Sequence, residues 1–223
     1  MVHFIQVGFL LICSVFSLYG QTDARSQKIM DEVVDKFKSY AGVQVDFSLT
    51  ITNLQDNSEE EQKGKIWLKN EKYKLELPDN ILFFDGTKLY QYYPDVNEVN
   101  INQPDLEEVN DDEDIQLLHP QTIFNLSSKK FKSNLVKEST QYNRPVYEID
   151  LYPVQLKTTK YSRIRLYIER NKLQIVYLKA FLKDGTQYTI TFSPYNVTNA
   201  LPDTFFTFDK SKHPGVEIID LTL

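Results

Sequence analysis

Val43-Gln44-Val45-Asp46-Phe47-Ser48-Leu49-Thr50-Ile51-Thr52 decides the architecture, because apolar and polar side chains alternate through the whole run. A period of two puts every apolar residue on one face of an extended strand and every polar one on the other. A strand with one apolar and one wet face belongs to an antiparallel sheet that covers a core on one side. The runs that follow are short and closely spaced, at 64–69, 72–77, 81–84 and 88–93, with Pro78-Asp79-Asn80 and Asp85-Gly86 as turns. Consecutive hairpins of this kind make a meander.

Upstream the period changes. Ile29, Met30, Val33, Val34, Phe37 and Tyr40 recur at offsets of three and four among charged residues, which predicts an amphipathic helix over 22–40 ended by Gly42. Downstream, from 103 to 126, the strand signal stops at Pro104. An acidic run, Asp111-Asp112-Glu113-Asp114, then leads into Ile115, Leu117, Leu118, Ile123, Phe124 and Leu126, read as short helices beside an acidic loop. Strands resume at 131–137, 146–152, 161–169, 173–183, 186–193, 204–208 and 216–220, with Asn171-Lys172 and Asp184-Gly185 as hairpin turns. The expected fold is mostly β, a curled antiparallel meander of about eleven or twelve strands. Several strands carry a large apolar face: Tyr73/Leu75/Leu77, Tyr147/Ile149/Leu151, Ile164/Leu166/Ile168 and Tyr188/Ile190/Phe192. The two helical segments are the available lid.

Composition agrees with one β domain. The chain has 223 residues, 41% of them hydrophobic, with 14 Phe and 14 Tyr against one Trp, a mixture that favours strands. A net charge of −6 lacks the Lys/Arg excess that phosphate backbones demand, so nucleic acid is excluded as a partner. The first twenty residues hold no charged side chain, and the apolar run from Phe4 to Leu18 ends in Tyr19-Gly20-Gln21. This reads as a signal peptide over 1–20, with the domain over 21–223. An uncleaved anchor is the competing reading, and the run is shorter than the roughly 20 apolar residues that a span needs. The single cysteine, Cys13, lies inside this run, so the exported chain would have none. Leu11-Ile12 stands before it, where a lipidation signal wants a small residue.

Catalysis of the common kinds needs a tuned base, a nucleophile or a metal. His119 and His213 each precede a proline, and neither has a partner at metal-ligand spacing. The elbow, phosphate-loop, dinucleotide and zinc-protease motifs do not occur. The acidic run lacks the glycine and distal Glu of a calcium loop. No enzymatic role, cofactor or metal is expected. Asn125-Leu126-Ser127 and Asn196-Val197-Thr198 fit a glycosylation sequon, which has meaning only in a eukaryotic secretory pathway.

Gly64-Lys65-Ile66-Trp67-Leu68-Lys69, then Tyr73-Lys74-Leu75-Glu76, then Phe84-Asp85-Gly86-Thr87-Lys88-Leu89-Tyr90-Gln91-Tyr92-Tyr93-Pro94 resembles the core of the LolA-type outer-membrane lipoprotein carriers. Ile149-Asp150-Leu151-Tyr152-Pro153, Ile164 with Leu166 and Ile168, Asp184-Gly185, Phe206 with Phe208, and Pro214-Gly215-Val216-Glu217-Ile218-Ile219-Asp220 continue the likeness. The resemblance implies an unclosed antiparallel barrel with a helical lid, located in the periplasm. It implies lipoprotein acyl chains as cargo, an inner-membrane ABC-type release complex as donor, and delivery to an outer-membrane acceptor that the residues do not identify. Many family members place a basic residue and a proline after the Trp strand; this chain has Lys69-Asn70-Glu71.

On that footing the cavity wall is expected to comprise Phe47, Leu49, Ile51, Ile66, Leu68, Tyr73, Leu75, Leu77, Ile149, Leu151, Ile164, Leu166, Ile168, Ile190 and Phe192. The lid is expected to comprise Val33, Phe37, Leu117, Leu118, Ile123 and Phe124. Alternation shows which face is buried and not against what, so the same residues also suit an ordinary core. A monomeric carrier of lipoproteins is the leading reading. A carrier of another lipid or a pigment precursor, and a periplasmic sensor with the same fold, are the alternatives.

Overall fold

The computed structural model describes residues 23–104, 130–141, 143–155, 159–199 and 201–222. The expected signal peptide with Cys13, the acidic run, His119, Asn125 and the lid residues Leu117, Leu118, Ile123 and Phe124 lie outside the described residues.

The helix α1 spans Ala24–Lys38. Asp23 caps it, its carboxylate accepting from the Arg25 amide at 3.0 Å, and Lys36 and Lys38 sit in the last turn where the helix dipole favours cations. The strands are β1 (Val43–Asn53), β2 (Ser58–Lys69), β3 (Lys72–Glu76), β4 (Ile81–Phe84), β5 (Leu89–Tyr93), β6 (Glu98–Asn102), β7 (Phe131–Gln141), β8 (Arg144–Pro153), β9 (Tyr161–Glu169), β10 (Gln174–Leu182), β11 (Thr186–Phe192), β12 (Asn196–Val197) and β13 (Glu217–Asp220). Twelve of them form one path, β13-β6-β5-β4-β3-β2-β1-β11-β10-β9-β8-β7, and β12 pairs with β1 off that path. The ends of the path, β7 and β13, do not pair with each other, so the sheet stays unclosed.

Several details depart from the sequence expectation, among them the start of β2, read at Gly64 and found at Ser58. The pairing of β13 with β6 is parallel, the exception in an otherwise antiparallel sheet. β6 went unread although Glu98-Val99-Asn100-Ile101-Asn102 alternates polar and apolar residues, because five residues with two apolar ones make a short signal. The strand expected over 204–208 is instead a 3-10 turn, Asp203–Phe206. Phe205 packs edge-on to Trp67 at 5.5 Å while the adjacent Phe206 is fully buried. Two neighbouring rings that both face the protein conflict with strand alternation, and a tight turn resolves the conflict.

The sheet has two apolar faces. Side chains of β1–β4 and β7–β11 on the inner face join Ile29, Met30 and Val33 of α1 in one large cluster. On the outer face, Phe83, Tyr92, Val99 and Val216 form a smaller one, against which Phe208 packs. A C-terminal strap, residues 201–216, covers that outer face. Lys69 and Lys72 both bind Asp203, at 3.0 and 2.9 Å, and Lys69 also donates to the Leu201 carbonyl at 2.7 Å. His213 stacks on Phe208 with 4.7 Å between centroids and sits against Tyr92 at 4.3 Å. Among the described residues no helix is long and apolar enough to cross a membrane.

Candidate functional site

The candidate site is the inner face, and strand alternation builds it. Register joins the faces: Phe47 and Leu49 lie opposite Phe192 and Ile190, Ile66 and Leu68 opposite Leu75 and Tyr73, and Ile149 and Leu151 opposite Leu166 and Ile164. All fifteen predicted wall residues fall in or against the one apolar cluster, and so do Val33 and Phe37 of the lid. Tyr73, Ile149, Ile164, Leu166 and Ile168 are completely buried, while Phe47, Ile51 and Leu77 are partly open. Val43, Val45, Leu82, Phe84, Leu178 and Ala180 belong to the same cluster and were missed. Val43 and Val45 share the period of Phe47, so alternation could have found them. Ile81-Leu82-Phe83-Phe84 is apolar throughout and gives no sign of which residues point inward.

Polar groups on this face pair locally. The hydroxyl of the half-buried Tyr195 donates to the Ile175 carbonyl at 2.9 Å, and desolvation pushes the phenol far up from its ordinary value. Gln174 donates to the Tyr40 hydroxyl at 3.1 Å. An inner face lined by the apolar side chains of this cluster is the kind of surface that accepts hydrocarbon.

α1 packs against β7 and β10. Its first turn is latched to the edge strand: the Ser26 and Ser133 hydroxyls are 2.8 Å apart and the Asp23 amide donates to the Ser133 carbonyl at 3.1 Å. Glu138 takes Arg25 of α1 and Arg170 of the β9–β10 turn as ion-pair partners. The Arg25 hydrogen bond, and then the charges of both arginines, hold its carboxyl below the usual range. Lys69 points to the C-terminal strap, and Asn70 adopts a left-handed backbone (φ 53°) in the β2–β3 turn.

An open depression of about 680 Å³ lies where β3 ends, and of the predicted wall residues it takes Phe47, Leu77 and Phe192. Asp46, Ser48, Lys63, Lys65, Glu76, Thr191 and Ser193 also border it, and their register puts them on the strand face opposite the apolar cluster. This depression therefore opens at the border of the apolar cluster, between three of its residues and polar side chains of the opposite face. Phe47 lies across Gly64: a Cβ there would stand 2.4 Å from its ring and 2.8 Å from the Glu76 carbonyl.

The outer face of β8 and β9 holds a charged network that the sequence did not reveal. Arg165 grips Asp150 through two bonds of 2.7 and 2.8 Å, and Arg163 adds a third at 3.2 Å. The Asp150 bonds raise the Arg165 guanidinium further above its ordinary value. The carboxylates of Asp150 and Glu148 are almost wholly buried beneath these side chains. Among the described residues no group of three or more His, Cys, Asp or Glu is placed to hold a metal ion.

Known proteins supply the remaining observation. The sequence profile described as outer membrane lipoprotein carrier protein LolA matches residues 38–209. No curated protein matches the chain. Among solved structures, an uncharacterized conserved protein from Thermus thermophilus is similar with a TM-score of 0.56 at 10% identity, covering 88% of this chain and 99% of that one. A putative outer membrane lipoprotein-sorting protein domain from Vibrio parahaemolyticus reaches 0.46 at 10% identity, with 82% and 96% covered. A LolA superfamily protein from Nitrosomonas europaea reaches 0.44 at 13% identity, with 83% and 98% covered. The Thermus likeness shows the fold, and the profile spans well over half of the chain. An unclosed sheet whose inner face is one apolar cluster, with a profile match along most of its length, places this chain in the LolA outer membrane lipoprotein carrier protein family.

Proposed function

We propose that this protein is a periplasmic carrier that shelters the acyl chains of lipoproteins against the inner face of its sheet. It would receive them from an inner-membrane ABC-type release complex and pass them to the outer membrane. The observation that carries the reading is the single apolar cluster spread over β1–β4 and β7–β11 and faced by a latched helix. Each methylene taken from water contributes roughly 0.8 kcal/mol, so an acyl chain laid on such a surface gains many times the thermal energy. The inner-face residues would enclose the chain after α1 moves aside, and no bond of the cargo would be made or broken.

The test uses two variants. Leu75→Glu puts a carboxylate in the buried wall, and Ile51→Glu puts one in its half-buried part, where folding is less at risk. Both are expected to lose fluorescent fatty acid binding at least tenfold while circular dichroism stays that of the parent. Folded variants that bind as well as the parent would overturn the assignment. Mass spectrometry of lipid co-purified from the native envelope identifies the cargo: triacylated peptide supports a lipoprotein carrier, and free lipid or pigment precursor alone rejects it.

A further inference from the structure

We propose that the open edge of β2, residues 58–63, is a docking strand for an extended polypeptide segment rich in Lys or Arg. β1 pairs with β2 along its whole length, from Asn53 opposite Ser58 to Val43 opposite Leu68. β3 pairs with β2 only from Lys65 to Lys69. Among the described residues, positions 58–63 therefore have a strand on one side alone. Every second residue of such an antiparallel edge turns its N–H and C=O outward. Ser58, Glu59, Glu60, Glu61 and Lys63 are exposed, so nothing in the described chain covers this edge.

The step in the sheet leaves room for a new strand. β3 stops at Glu76, and the chain turns away through Leu77 and Pro78. The depression of about 680 Å³ opens where β3 would have continued beside Lys63 and Gly64. A segment lying in line with β3 would add about six rungs, roughly 20 Å of pairing.

Charge names the occupant. Glu59, Glu60 and Glu61 follow one another, and their cross-strand partners on β1 are Thr52, Ile51 and Thr50, which carry no charge. Lys63 approaches Glu61 at 3.7 Å and offsets one of the three. A second copy of this chain pairing edge to edge would set Glu against Glu, which repels. Charges on an open edge guard it against unwanted pairing. The same carboxylates admit a strand that brings Lys or Arg to alternate positions, and the backbone ladder then supplies the pairing.

The experiment takes the purified protein and two capped eight-residue peptides, one alternating Lys with Thr and Val, the other with Glu in place of Lys. Fluorescence anisotropy measures binding, and amide hydrogen exchange reads the site. The Lys peptide is expected to bind saturably and to slow exchange at alternate amides within 58–63 at least tenfold, and the Glu peptide to do neither. The triple variant Glu59→Lys, Glu60→Lys, Glu61→Lys alters only exposed side chains and is expected to exchange these preferences while retaining fatty acid binding. Three results would overturn the proposal: no binding, equal binding of both peptides, or binding of the Lys peptide without protection at 58–63. The comparison of the two peptides on the parent protein decides the matter even if the triple variant does not fold, and none of these readouts depends on acyl cargo.

Discussion

Asp150 shows how strongly a single residue can govern this fold. It lies on the outer face of a sheet whose neighbouring strand answers with arginines, and it takes three hydrogen bonds from Arg163 and Arg165. Its side chain is only 3% exposed. Removing Asp150 takes away the acceptor of three charged hydrogen bonds but leaves part-exposed arginines, one still beside Glu148, so Asp150→Ala is expected to destabilise the protein by about 1–3 kcal/mol, measured by urea unfolding. Asp203 makes the opposite case, exposed yet strongly perturbed. Hydrogen bonds from Lys72 and then Lys69 hold its carboxyl down at about 2. A carboxyl depressed on folding adds stability that is complete above the unfolded value of about 3.9 and is lost as pH falls toward the folded one. The stability difference between the parent and Asp203→Asn is accordingly expected to be constant above pH 4, to shrink below it, and to vanish near about pH 2. Acid titrations at several urea concentrations check this.

At the scale of elements, α1 and the C-terminal strap both cover the sheet, one on each face, and they are held differently. α1 buries Ile29, Met30 and Val33 and is latched at one end through Ser26, Arg25 and Glu138. Its other end runs into β1 through residues 39–42, so for α1 to swing aside as a lid the latch at Ser26 is the part that has to open. The Ser26 and Ser133 hydroxyls are in contact at 2.8 Å, so a Ser26→Cys, Ser133→Cys pair is placed for a disulfide. The oxidised protein is expected to exchange fluorescent fatty acid at least tenfold more slowly than the reduced one. Stopped-flow displacement measures it, and equal rates would show that α1 is not the moving part. The strap instead is pinned by Phe206, which is fully buried, and by Asp203. Phe206→Ala is expected to cost about 3–5 kcal/mol. Trp67, the one tryptophan of the chain, meets Phe205 of the strap, so its emission should change with the unfolding midpoint.

For the whole molecule, the unclosed sheet leaves edges, and they are treated unequally. β7 is bulged between Leu135 and Lys137 and tied to α1, which blunts it. The overhang of β2 is guarded by the charges of Glu59, Glu60, Glu61 and Lys63 alone among the described residues. The inner face was legible in the sequence: alternation in β1, β3, β8, β9 and β11 named apolar residues that the fold gathers into one cluster. The outer face was not. Phe83, Tyr92 and Val99 alternate with inward-facing residues and become core only because a distant segment lies over them. The depression escaped for the same reason, since it exists where β3 ends short of β2.

The sequence by itself determined the strand periods, the helix, the turns at Asp85-Gly86 and Asp184-Gly185 and the apolar face, because each is set by backbone geometry over a few consecutive residues. Only the tertiary structure decided the parallel pairing of β13 with β6, the strap over the outer face, the Asp150 network and the open edge at 58–63. Those depend on which segments far apart in the chain become neighbours, and local periodicity carries no information about that choice.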